Sequence, residues 1–137
     1  MELKNGIEIH SYDGAGYMPL IDFESWRVAV LNPTESAGIE TMQRHTETDE
    51  VFVLLSGKCV LFVAADGEKP ENLSGEFMEP LKLYNVPKGH WHASALTEGT
   101  SVLIVENRDT SAANSPQYRL CEAMKDQIVK ISEGLLK

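Results

Sequence analysis

Gln43-Arg44-His45-Thr46-Glu47-Thr48-Asp49-Glu50-Val51-Phe52-Val53-Leu54-Leu55-Ser56-Gly57 decides the fold, together with a stretch some forty residues on, Pro87-Lys88-Gly89-His90-Trp91-His92. Alternate side chains of a strand share a face, so Gln43 goes with His45, Glu50 with Phe52 and Leu54, and His90 with His92. Arg44 and Asp49 point the other way. If those three faces turn into one interior, a glutamine, two or three imidazoles and a carboxylate meet among apolar walls. Imidazole nitrogen and carboxylate oxygen are donors for zinc, iron, manganese or nickel. Ser56-Gly57 reads as the tight turn of a hairpin between Glu50–Leu55 and Lys58–Ala65.

Outward from this stretch, the pattern of short apolar runs and turn residues continues. Further strands are expected over Trp26–Leu31, Ile39–His45, Leu81–Val86, Trp91–Leu96 and Ser101–Glu106. Residues 1–25, with Gly6, Gly14, Gly16 and Pro19, read as an irregular arm holding at most one short strand near Gly6–His10. The segment from Asp66-Gly67 to Gly75 reads as a loop. About seven strands without intervening helices imply antiparallel sheets in a sandwich or barrel. After a polar connector from Asn107 to Pro116, apolar residues Leu120, Met124, Ile128, Ile131 and Leu135 recur at helical spacing. Gln117–Leu136 is expected as an amphipathic helix, with room for a short extended piece before it, and the helix must bury its apolar face on its own sheets or across a dimer.

The 137 residues, 42% of them apolar, are the size of one soluble domain. A net charge of −9 repels nucleic-acid phosphates and anionic membranes, so neither is an expected partner. No apolar run could cross a bilayer and no secretory pattern opens the chain, so a cytoplasmic location is expected. Cys59 and Cys121 form no framework; Cys59, within an apolar run, is expected as a small core residue.

The two stretches resemble the paired signature motifs of the cupin superfamily, small β-barrels that often hold a metal. In that family the first motif supplies two histidines one residue apart and a glutamate, and the second supplies another histidine. His45, Glu50 and His92 match; Gln43 stands where the first histidine would be. The resemblance covers roughly residues 26–106. It implies an all-β, cupin-type double-stranded β-helix (a jelly-roll barrel) with a C-terminal α-helix. The division would be a single domain over 1–137, with an arm (1–25), a barrel (26–106), and a connector with helix (107–137). The implied ligands of a divalent ion (iron, manganese, nickel or zinc) are Gln43, His45, Glu50 and His92, with Glu50 also a candidate catalytic base. His90 falls either inside or at the rim, and Glu47 is expected as a solvated loop carboxylate.

Ser101–Ser115 is similar to small uncharacterised bacterial cupins. The implied function is a metal-dependent enzyme acting on a small molecule such as a sugar or catabolite, by isomerase, lyase or dioxygenase chemistry. The alternatives are a non-catalytic small-ligand or metal-binding sensor, and a degenerate structural cupin without metal. A homodimer is implied too, with Trp26 and the terminal helix as contributors.

Overall fold

The computed structural model describes residues 1–35 and 38–136. Ser36, Ala37 and Lys137, which fall inside the expected domain, lie outside the described residues. Ten strands form two five-stranded antiparallel sheets. The first has the order β3 (Gly16–Phe23), β4 (Trp26–Asn32), β11 (Ser101–Asn107), β6 (Glu50–Ser56), β9 (Leu83–Val86). The second runs β12 (Gln117–Arg119), β5 (Thr41–Gln43), β10 (Trp91–Leu96), β7 (Cys59–Ala64), β8 (Ser74–Phe77). Strands β1 (Glu2–Lys4) and β2 (Ile7–Ile9) make a separate hairpin.

The sheets face one another across Ala29, Phe52, Leu54, Cys59, Leu61, Val102 and Ile104, which form one buried cluster. Alternation places these residues inward on β4, β6, β7 and β11, as the two-residue period requires. A second cluster lies on the outer face of the second sheet: Met42, Val60, Phe62 and Trp91 pack under Leu120, Ile128 and Leu135. Helix α1 (Glu122–Ser132) covers that face, so the chain's own sheet buries its apolar stripe. This explains the unbroken apolar run of β7. A strand covered on both faces cannot alternate. Burying each such branched or aromatic side chain contributes roughly 1.5–3 kcal/mol.

Close approach explains Gly75. A Cβ there would lie 2.9 Å from Ile131 Cγ2 and 3.1 Å from Val60 Cγ1, inside the seam between helix and sheet. Gly57 turns the β6–β7 hairpin at φ 78°, and Thr100 Oγ1 sits 2.3 Å from the position a Cβ would take. Thr100 Oγ1 bonds both the N–H and the carbonyl of Lys58, which seals this turn. Cys59 is buried and its thiol is pushed up to about 12 by burial, in keeping with a core residue.

Three expectations need correction. Residues 16–23 are not an irregular arm: β3 pairs along β4 from Gly16↔Asn32 to Phe23↔Trp26. Pro19 is tolerated because β3 is an edge strand with a register shift between Pro19 and Ile21. Nearer the N-terminus, Asn5 and Gly6 both have positive φ, so they close a hairpin where one strand was expected. The 66–75 loop ends in β8. The C-terminal segment agrees with its expectation: a short extended piece, β12, precedes α1, which starts at Glu122. Among the described residues no helix is long and apolar enough to cross a membrane.

Candidate metal centre

The two motifs meet across the strand ladder. His92 on β10 is in direct register with Gln43 on β5, and Gln43 in turn with Gln117 on β12. Opposite them, Glu50 opens β6, and Glu106 on β11 is in register with Arg27 on β4. His45 follows the end of β5. Two backbone bonds fix it to the connector, Arg44 N–H to Pro116 O (3.1 Å) and Thr46 N–H to Asn114 O (3.0 Å). These elements enclose a cavity of about 500 Å³, a usual size for a small-molecule site.

His45, Glu50 and His92 are each at most 5% exposed. Donor atoms of the three lie within 4.8 Å of one another. Glu50 Oε1 is 2.8 Å from His92 Nε2 and 3.4 Å from His45 Nε2. Apart from these approaches to Glu50, both Nε2 atoms are buried without a hydrogen-bond partner. Their other nitrogens are tied down. His92 Nδ1 donates to the carbonyl of His90 at 3.2 Å, and His45 Nδ1 is 2.7 Å from Ser115 Oγ. A His92 ring whose one proton sits on Nδ1 turns an Nε2 lone pair toward a carboxylate oxygen. Two acceptors at that distance repel unless a proton or a cation lies between them. Ring nitrogens oriented through their far side, with free lone pairs converging on a carboxylate, are what a divalent ion requires. The residues fit the ion that the fold family implies.

A second carboxylate completes the polar floor. Glu106 is 6% exposed; its Oε1 accepts from Arg27 Nη2 at 2.7 Å and from the Tyr17 hydroxyl. Its Oε2 has no hydrogen-bond partner and lies 3.8 Å from His45 Nε2. Burial and the adjoining Glu50 carboxylate raise Glu106 to about 7, against the pull of Tyr17 and Arg27. Burial works against the Glu50 anion too, but His45 and His92 outweigh it and hold Glu50 well below the usual carboxylate range. For His45, burial opposes the charged form, while Glu50 and Glu106 prevail and raise its pKa. Burial and Glu106 likewise raise Tyr17, so its phenol stays protonated.

All four residues named as ligands line this cavity: Gln43, His45, Glu50 and His92. His90 does not. It precedes β10 in the Pro87–His90 turn, where strand alternation no longer applies, and contributes its backbone carbonyl. Arg44 and Asp49 point away from the cavity as expected, Arg44 to Asp66 at 2.6 Å and Asp49 to the Lys88 N–H at 2.8 Å. Glu47 is exposed. Sequence reasoning missed Tyr17, Arg27, Glu106 and Ser115. For Glu106 and Arg27 a signal existed. Each stands at inward parity beside core residues, Glu106 with Val102 and Ile104, Arg27 with Ala29.

No protein family and no curated protein matches the sequence. Solved structures do. A cupin-2 domain protein from Shewanella frigidimarina aligns with TM-score 0.51 at 18% identity, covering 71% of this chain and 85% of that one. The Streptomyces nucleoside dehydratase Pac13 aligns with TM-score 0.58 at 10% identity, over 83% and 88%. The Campylobacter jejuni TDP-fucose-3,4-ketoisomerase WlaRA aligns with TM-score 0.55 at 15% identity, over 69% and 68%. Two facing antiparallel sheets, a cavity between them where both motifs converge, and these likenesses identify the fold of this chain as that of the cupins.

Proposed function

We propose that the cavity is the active site of a metal-dependent enzyme that performs isomerase- or lyase-type chemistry on a small hydroxylated molecule. One observation carries the reading: His45 Nε2 and His92 Nε2, both buried and unpartnered, converge on Glu50 Oε1. His45, Glu50 and His92 would hold the ion. A divalent ion bound there supplies Lewis acidity toward a carbonyl or hydroxyl oxygen. Glu50 suits a ligand better than a base, because a carboxylate held so firmly ionised takes up a proton poorly. Gln43, Gln117, Thr110 and Ser111 line the mouth with neutral hydrogen-bonding groups that can orient hydroxyls. Among the structural neighbours, Pac13 is a nucleoside dehydratase solved with uridine, and WlaRA is a sugar-nucleotide ketoisomerase. Both names denote chemistry on oxygenated small molecules. We take the outer face of the first sheet, where Trp26 is 42% exposed, as the contact of the expected homodimer.

One further observation favours a second reading, a metal-free acid–base centre: the Glu50–Glu106 carboxyl pair places a proton-holding group beside an anion. Elemental analysis separates the two. Protein purified without chelator or affinity-tag metal should carry near-stoichiometric metal, and His45→Ala should lose it. Absence of metal, with none taken up from iron, manganese, nickel or zinc solutions, would overturn the metal-dependent reading.

A further inference from the structure

We propose that Glu106 supplies the fourth protein ligand to the ion, the place that a histidine at position 43 would otherwise fill. This rests on the metal site proposed above. Each residue around Glu50 has one polar atom tied and one free. His45 is held through Nδ1 by Ser115, His92 through Nδ1 by the His90 carbonyl, and Glu106 through Oε1 by Arg27 and Tyr17. The free atoms are His45 Nε2, His92 Nε2 and Glu106 Oε2, all buried and all without a hydrogen-bond partner. Glu106 Oε2 faces His45 Nε2 at 3.8 Å without a hydrogen-bond partner, in a 94%-buried side chain where an unpaired acceptor carries a desolvation cost. Ligating carboxylates are commonly hydrogen-bonded through their second oxygen, as this one is.

The spacing agrees. Two donors each about 2.1 Å from one ion lie at most about 4.2 Å apart. The separations from His92 Nε2 and His45 Nε2 to Glu50 are 2.8 and 3.4 Å, and Glu106 Oε2 is 3.8 Å from His45 Nε2. Register supplies the reason for the exchange of strands. Glu106 is one step beyond the Val105↔Val51 pair, which brings it beside Glu50 on the inward face of the same sheet. Two imidazoles with two carboxylates form a harder, more anionic donor set than three imidazoles with one. That set suits manganese or ferrous iron. Gln43 is then released to meet the ligand in the cavity.

Calorimetric titration of chelator-treated protein with Mn²⁺ tests this, using the intact chain, His92→Ala, Glu106→Gln and Gln43→Ala, each checked for folding by circular dichroism. The expected result is loss of binding in His92→Ala, at least tenfold weakening in Glu106→Gln, and an affinity within about threefold of the parent in Gln43→Ala. Should Glu106→Gln not fold, Glu106→Asp, which withdraws the carboxylate by one methylene, is expected to weaken binding equally. Retention of parent affinity by the Glu106 variant while His92→Ala loses the ion would overturn the fourth ligand and leave the three-residue site standing. A tenfold loss in Gln43→Ala would give the fourth place to Gln43 and overturn it as well. If the parent takes up neither Mn²⁺ nor another divalent ion, both proposals fall.

Discussion

Raising the pH from 5 to 7 should destabilise the metal-free protein. Glu106 is raised from 4.5 to about 7 in the fold, by burial first and by Glu50 second. Between those values the folded protein binds one proton more than the unfolded chain, so stability falls as pH rises. Integrating the two titrations from pH 5 to pH 7 gives a loss of about 2 kcal/mol, at roughly 1.4 kcal/mol for each pKa unit. His45 acts in the same direction at higher pH. Its folded pKa is raised, so its contribution is full below the unfolded value of 6.5 and is lost as pH climbs through the folded one. Glu50 has the opposite sign, but its lowered pKa costs stability only as pH falls below 4.5, outside this window. Urea unfolding at pH 5, 6 and 7 after chelator treatment reads the effect as a falling midpoint at constant slope. Glu106→Gln should flatten the profile over this range. Saturating Mn²⁺ should flatten or invert it, because ion binding requires the carboxylates ionised. A midpoint that is level or rising in the parent, or a decline that persists in Glu106→Gln, would refute the reasoning.

Two further expectations follow from single contacts. Ser115→Ala removes the hydroxyl 2.7 Å from His45 Nδ1, frees the ring to turn, and should weaken metal binding about tenfold in calorimetric titration while leaving the fold intact; an unchanged affinity would show that another contact orients the ring. Gly75→Ala places a methyl 2.9 Å from Ile131 Cγ2 and 3.2 Å from Phe62 Cε1, and should lower stability by about 1–3 kcal/mol in thermal unfolding as α1 is pushed off the sheet; an unshifted transition would mean that the helix seam yields freely.

The strands legible in the sequence are those whose own apolar residues mark them. The expected ranges for β4, β6, β7, β10 and β11 agree with the observed ones to within a residue or two: β6 and β11 alternate, and β7 is a short unbroken apolar run bounded by turn residues. Strand β3 was hidden because Pro19 is admissible only at a sheet edge or a bulge, and edge position is a property of the assembled sheet. β8 was hidden for a related reason. Ser74-Gly75-Glu76-Phe77 lacks an apolar period, and its glycine is set by the approach of Ile131 from a helix more than fifty residues away.

Among the site residues the same division holds. His45, Glu50 and His92 were legible because two short motifs hold them, and strand parity alone turns them to one face. Ser115 was not, since it reaches His45 from a connector with no periodicity at all. Glu106 lies between. Its neighbours Val102 and Ile104 announce an inward face, and a carboxylate two residues further along the same face must be paired or used. Arg27, inward on the adjacent strand, accounts for one of its oxygens and leaves the other bare. The glutamine at position 43 and the glutamate at position 106 are therefore better read together than apart. A motif that lacks one donor calls for a search of the inward parity of the strand beside Glu50, and on the proposal above the missing donor stands there.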